Sequence, residues 1–376
     1  MRPIRILYVN GGIMHRGGIE SYMMNYYRHI DRSIIQIDFI VHGFDKGVYD
    51  DEIKSLGGRI YNIPVKSKDY FGNIKALKKI FNCGEYRIVH SHLDAMSMVI
   101  LKTAKECGIP IRIAHSHNTQ HLTNNCMKYL LNEYARKNVK KYATHLLACS
   151  EAAGRWLYGN KAYDEGKVKL VNNAIEFDKF AFNKQRRDLI RAQLGLENNF
   201  VIGHVGRFDY QKNHMFLLET FNATLKQIPN AKLLLIGEGH LEEQIKAKIK
   251  ELGIKENVVL LGARSDINEL LNSFDLFLLP SLFEGLPVVL IESQANGLVC
   301  IASDKITKSV DITKKTTFLP LEEDKKIWVR NISESKQKVQ SREIQRKEFE
   351  EKGYSIELES RLLQDFYISL VEKGNI

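Results

Sequence analysis

Three clusters in the 376-residue chain hold side chains of the types and spacing that could do chemistry. The most specific is Pro280-Ser281-Leu282-Phe283-Glu284-Gly285-Leu286-Pro287, running on through Glu292 to Gly297. Pro287 fits the first position of a helix and Gly297 the residue just past its end. Glu284 then falls in the loop at the helix mouth, and backbone N–H groups of Gly285 and Leu286 are expected to face the same space. Glu292 lies on the helix in an otherwise apolar stretch, where an unpaired carboxylate is costly to bury. Either a ligand with hydroxyl groups or an internal salt bridge would satisfy it.

The second cluster, Gly203 to His214, carries Gly206, Arg207 and Lys212 just after a predicted strand. Ligands of open α/β sheets bind at the carboxyl ends of strands. Two fixed cations there suit a diphosphate that gathers charge as it leaves; solvated loop charges are the alternative. The third, Asn10 to Glu20, places Gly11, Gly12, Gly17 and Gly18 between a strand and a helix. Glycines there let the backbone approach a ligand, with helix N–H groups free for phosphate. Its spacing is neither Gly-x-Gly-x-x-Gly nor a Walker motif, so dinucleotide and P-loop binding are not supported, and a tight turn without a ligand fits equally well. Histidines also gather after predicted strands, at His90 and His92 and again at His115 and His117. Structural roles and metal ligation are both open for them. With no Asp-x-Asp to hold a metal-bound nucleotide, no metal is expected.

The elements that must position these residues follow one pattern, strand, turn and helix, run through twice. Short apolar, β-branched stretches at 4–9, 34–41, 88–90, 111–114 and 144–148 predict the strands of a first half. Those at 200–205, 232–236, 257–261, 276–279 and 298–302 predict a second. Helical periodicity fills intervals such as 215–227 and 241–252. Near-continuous apolar strands alternating with helices indicate parallel sheets covered on both faces. The expected fold class is therefore α/β, two doubly wound Rossmann-like domains facing a cleft. The boundary is expected between 172 and 200, where the polar stretch 176–199 reads as a short ordered hinge. Residues 355–373 read as an amphipathic helix.

Composition narrows the classes. At 44% hydrophobic and 27% charged the chain is that of a globular protein. No apolar run reaches the length of a membrane span, and the first residues lack the features of a signal peptide, so a cytoplasmic protein is expected. Five scattered cysteines without Cys-x-x-Cys are expected to be reduced and mostly packed in the core. Residues 1–180 carry 27 basic and 17 acidic side chains while the remainder carry 28 of each, so the whole excess of +10 sits in the first half. That half is expected to meet an acidic surface. Segments 73–81 and 127–142 mix lysines with apolar and aromatic residues, as helices lying on anionic lipid do; ordinary surface helices with buried stripes are the alternative.

Taken together, Glu284/Glu292 as Glu-x7-Glu, Gly206-Arg207 with Lys212, and Gly17-Gly18-Ile19-Glu20 resemble a retaining glycosyltransferase of sequence family 4, with the GT-B fold. Ile236-Gly237-Glu238-Gly239 and Gly262-Ala263-Arg264-Ser265-Asp266-Ile267 also match, and the resemblance covers nearly the whole chain. The stretch 302–313 is similar to the EpsF-like capsular and exopolysaccharide subgroup. It lacks the Gly-Gly and following Glu of many members, and Asn173-Ala174 replaces the more usual Asn-Gly.

The resemblance implies an acceptor-side domain at 1–175, a nucleotide-sugar domain at 176–354 and a terminal helix at 355–376 returning to the first domain. It implies that Arg207 and Lys212 neutralise the donor diphosphate, that Glu292 binds the ribose and Glu284 the transferred sugar, and that Gly285 and Leu286 offer N–H groups. Gly17, Gly18 and Gly206 would border the diphosphate, and Gly237 and Arg264 would frame the nucleoside. His115 would contact the donor sugar, while His117 and Glu20 would serve the acceptor side. No cofactor is implied beyond the donor substrate, a nucleotide-sugar such as UDP-hexose or UDP-N-acetylhexosamine. The acceptor would be a glycan or lipid-linked glycan, with an anionic membrane surface as a further partner and no nucleic acid. A basic nucleic-acid- or glycan-binding protein without catalysis is one alternative. A phosphorylase or sugar-nucleotide epimerase of the same fold is another.

Overall fold

The computed structural model describes residues 3–121, 123, 125–322, 325–337 and 342–373, and it divides into two compact units. The first comprises residues 1–174 with 353–376, the second residues 175–352.

The first unit is built on seven strands: β1 (Ile4–Val9), β2 (Ile35–His42), β3 (Ile60–Ile63), β4 (Ile88–Ser91), β5 (Ile111–Ser116), β6 (His145–Ala148) and β7 (Val168–Leu170). All pairings are parallel, in the order β3-β2-β1-β4-β5-β6-β7, so the chain reverses its direction of winding between β1 and β4. Such a reversal opens a crevice at the carboxyl ends of the strands. The central strands are apolar because helices cover both faces. Among the polar residues buried in them is Asp38, fully buried in β2. It accepts two bonds from Arg5 (2.6 and 2.8 Å), one from Arg59 N–H (2.7 Å) and one from the Tyr86 hydroxyl (2.7 Å). Those donors offset the cost of its burial.

The terminal helix Ile356–Lys373 completes this unit's core. Ile356, Leu363 and Tyr367 bury against the Gly18–His29 helix and the β1 face, and the Tyr367 hydroxyl lies 2.8 Å from that of Tyr8. Residues 374–376, the end of the predicted helical span, fall outside the described residues.

The second unit holds β8 (Phe200–Val205), β9 (Ala231–Ile236), β10 (Val258–Leu260), β11 (Leu276–Leu279), β12 (Val299–Ser303) and β13 (Thr316–Leu319), in the order β10-β9-β8-β11-β12-β13. Its winding reverses between β8 and β11. The polar stretch read as a hinge is instead mostly helix, at Phe177–Phe180 and Lys184–Leu194. Arg187 and Arg191 on the second of these each meet the Asp275 carboxylate at 2.5 Å, just before β11. These two arginines anchor the segment to the sheet.

Strands β3, β7 and β13 were not expected from the sequence. All three are edge strands of three or four residues, too short for a distinct pattern. Core packing of the thiols holds for Cys149 and Cys300 only; Cys83 and Cys126 are exposed and Cys107 is half-buried.

Candidate active site

In the second unit the winding reversal explains why residues far apart in the chain meet. β8 delivers Gly206 and Arg207 to its carboxyl end, and its neighbour β11 delivers Ser281 to Glu284 to the adjacent end. Lys212 Nζ lies 2.6 Å from Glu284 Oε1, with both side chains nearly buried (13% and 8% exposed). Gln211, which sequence reasoning passed over, holds the other carboxylate oxygen at 3.1 Å and donates to the Phe283 carbonyl at 3.0 Å. Leu282 N–H donates to the Gln211 carbonyl at 2.9 Å, so the two loops are bonded into one surface. A short 3-10 turn, Tyr210–Lys212, capped by the Asp209 side chain, aims Lys212 inward. Arg207 is held only loosely by Asp209 (3.5 Å) and remains largely exposed.

Glycine is required where these backbones crowd. Gly237 has φ +146°, and a Cβ there would strike the Gly206 carbonyl. At Gly206 a Cβ would press on the aliphatic stem of Lys212. The approach of the β8 and β9 loops, and the placing of the lysine, depend on both.

Glu292 presents the opposite situation to Glu284. It sits on the helix Val288–Ala295, whose N-cap is Pro287, one residue before the position expected for the proline. Among the described residues its carboxylate has no hydrogen-bond or salt-bridge partner. It is half-buried, and burial pushes its pKa up to about 7 against the attraction of Lys179. The internal salt bridge expected as the alternative for Glu292 is therefore found at Glu284. Gly285 and Leu286 are buried at the helix mouth. Arg264 lies in the loop after β10, clamped by both oxygens of Asp266 (2.8 and 2.6 Å).

In the first unit Gly17, the N-cap of the Gly18–His29 helix, makes no side-chain cap hydrogen bond. Glu20, in the first turn, accepts from Asn10 Nδ2 at 3.0 Å. His115 is fully buried, 3.1 Å from His90 through their ring nitrogens, and His117 pairs with His92 at 2.9 Å. His90, His92 and His115 each offer a ring nitrogen, all within 4.8 Å of one another. Burial drives the pKa of all four imidazoles down, so they are neutral near pH 7. Their gathering into one cluster, with Tyr367 beyond His90 at 2.6 Å, is not visible from either His-x-His stretch alone.

Residues 186–353 match the family model for glycosyl transferases group 1, and residues 16–179 the model for glycosyltransferase family 4. EpsF of Bacillus subtilis (strain 168) is 38% identical over 88% of this chain and 87% of its own length. An Escherichia coli UDP-Gal:alpha-D-GlcNAc-diphosphoundecaprenol alpha-1,3-galactosyltransferase is 29% identical over 61% of this chain and 60% of its own. In three dimensions the fold matches Anabaena HepE, crystallised with UDP-glucose, with a TM-score of 0.79 at 18% identity over 97% of this chain and 99% of that one. With two doubly wound parallel sheets, motifs on the loops at their winding reversals and an EpsF relative matched along most of its length, the chain belongs to glycosyltransferase family 4 and has the GT-B fold.

Proposed function

We propose that the protein is a retaining, metal-independent glycosyltransferase of polysaccharide biosynthesis. It moves a hexose or N-acetylhexosamine from a UDP-sugar to a glycan or lipid-linked glycan acceptor in assembly of the capsule, exopolysaccharide or O-antigen type. The observation that carries this reading is Glu292. A half-buried carboxylate with no partner among the described residues, following the strand next to the one that presents Arg207 and Lys212, suits a ligand bearing both hydroxyl groups and a diphosphate. Glu292 accepts from the ribose hydroxyls, Arg207 and Lys212 take up charge on the departing diphosphate, and Glu284 orients the transferred sugar. The acceptor oxygen bonds to the anomeric carbon as the bond to the phosphate oxygen breaks on the same face, and that oxygen takes the acceptor proton. Glu20 and His117 are assigned to the acceptor side.

The HepE complex with UDP-glucose supports a uridine donor and the Escherichia coli relative a diphosphate-lipid-linked acceptor. A thermal-shift panel of nucleoside diphosphates and nucleotide sugars, run without metal, tests the donor site. Selective stabilisation by UDP-sugars that disappears in Arg207→Ala and in Glu292→Ala is expected. A folded protein that responds to no donor would remove the basis for the reading.

A lipid-linked acceptor also calls for access to a membrane, and the helix Cys126–Tyr142 has a surface for it. Only Ala135 and Val139 are buried, while Met127, Tyr129, Leu130, Leu131 and Tyr134 are exposed between lysines. Helix Tyr70–Phe81 buries Leu77 and Phe81 but leaves Tyr70 and Phe71 outside. No helix among the described residues is long and apolar enough to cross a membrane. Peripheral attachment at the cytoplasmic leaflet follows as part of this reading. Vesicle flotation is expected to show binding to anionic lipid that is screened by salt and reduced in Leu130→Ser/Leu131→Ser. Equal recovery with neutral vesicles would count against it.

A further inference from the structure

We propose that the buried histidine cluster of the first unit is a site for a divalent transition metal of the zinc class, ligated by His90, His92 and His115. The inference takes fully buried His115 from the donor-sugar contact that the resemblance implied for it, and leaves Arg207, Lys212, Glu284 and Glu292 of the second unit to the donor. It replaces the expectation that the chain holds no metal, and leaves the diphosphate to Arg207 and Lys212.

The geometry begins with strand periodicity. Side chains two apart share a face, so His90 and His92 project together, as do His115 and His117. β4 and β5 are parallel neighbours with His90 level with Ile113, which brings the two pairs against each other. The rings form two hydrogen-bonded pairs stacked on one another, His90 over His92 and His115 over His117, each with centroids 4.2 Å apart. One nitrogen from each of three rings lies within 4.8 Å of the others. Zinc–nitrogen bonds of about 2.0–2.1 Å would set tetrahedral ligand atoms about 3.4 Å apart, so ring rotations moving them by about an ångström close the set.

The hydrogen-bond accounting of the unligated cluster is incomplete. Among the described residues, Nε2 of His92 and Nε2 of His115 are buried with no partner. Placing a proton on Nδ1 of His92, toward His117, and on Nδ1 of His90, toward Tyr367, leaves an Nε2 lone pair on each; that of His90 faces His115 Nδ1 at 3.1 Å, a contact that ligation replaces. Those outer contacts, 2.9 and 2.6 Å, are the partners that orient metal-bound imidazoles. The Tyr22 hydroxyl is also buried without a partner, and its ring lies 5.1 Å from those of His115 and His117, which leaves it or a water for a fourth position. Buried Asp94 accepts from the backbone N–H of His117 at 2.6 Å and so fixes one end of the cluster. An all-imidazole set without carboxylate ligands favours zinc over magnesium or calcium.

The test uses the full chain, stripped with chelator and reloaded with Zn2+ alone or Co2+ alone. Expected are stoichiometric metal retained through gel filtration, the visible ligand-field absorption of tetrahedral Co2+, and a higher Tm with Zn2+. Tyr367→Phe, which removes the outer partner of His90 and with it the contact to the Tyr8 hydroxyl, is expected to weaken Zn2+ binding about 10–100-fold. His92→Gln should abolish stoichiometric binding, while the exposed His240→Gln leaves it unchanged. Should His92→Gln fail to fold, the Co2+ spectrum and Tyr367→Phe still decide. Wild-type protein that retains no zinc, octahedral Co2+, or an affinity untouched by Tyr367→Phe would each overturn the site in favour of an ion-free imidazole stack.

Discussion

Lys212→Ala is expected to lower transfer by on the order of 10²–10³-fold, the scale of removing one preorganised charge-stabilising donor, and to destabilise the second unit as well. Both effects start from one contact, the 2.6 Å pair with Glu284. Deleting one member of a nearly buried ion pair strands the other, at a cost of about 3–5 kcal/mol. A loss of activity in this variant alone would therefore not distinguish catalysis from folding. The double variant Lys212→Met/Glu284→Gln separates them, because replacing both charges together removes the stranded carboxylate and is often close to neutral for stability. Urea denaturation is expected to show stability restored to within about 1 kcal/mol of wild type, while kcat stays low. If the double variant turned over like wild type, Lys212 would be a structural residue and the diphosphate would have to be neutralised elsewhere.

Glu292→Gln is expected to stabilise the unliganded protein above neutral pH and to weaken donor binding, an opposition that marks a residue kept for its ligand. Its carboxyl titrates near 7 in the folded chain against an ordinary glutamate value of 4.5. Between those values the folded state holds the proton more firmly than the unfolded one, so stability falls as pH rises and the full penalty is present above about pH 7. Allowing for partial exposure, that penalty is on the order of 2 kcal/mol. Denaturation between pH 5 and pH 8 is expected to show this slope in wild type and its absence in Glu292→Gln. Ribose hydroxyls donate to the ionised form, so donor affinity should increase as pH rises through 7. Losing a hydrogen bond to a charged group, about 1.5–3 kcal/mol, corresponds to roughly a 10–100-fold weaker donor complex in the variant. Calorimetry showing pH-independent donor affinity in wild type would sink the assignment of Glu292 to the ribose.

The amino-acid sequence by itself determined the class of fold, because strands buried on both faces must be written as continuous apolar runs. β1, β8 and β11 begin and end where those runs do. It also determined that Glu292 stands as a charge in an apolar helix, since the type and spacing of its neighbours are local facts. Edge strands were invisible for the converse reason: β7 has three residues, with Lys169 and Leu170 exposed, and nothing in so short a stretch separates strand from loop. Only the tertiary structure decided which carboxylate is paired. Lys212 and Glu284 are 72 positions apart, and they meet because β8 and β11 are hydrogen-bonded neighbours where the winding reverses. The same holds for the histidines, 25 positions apart in each bonded pair, which β4 and β5 bring face to face. Local pattern specifies a face and a period; strand order, set by how the whole sheet buries its surfaces, specifies which faces touch.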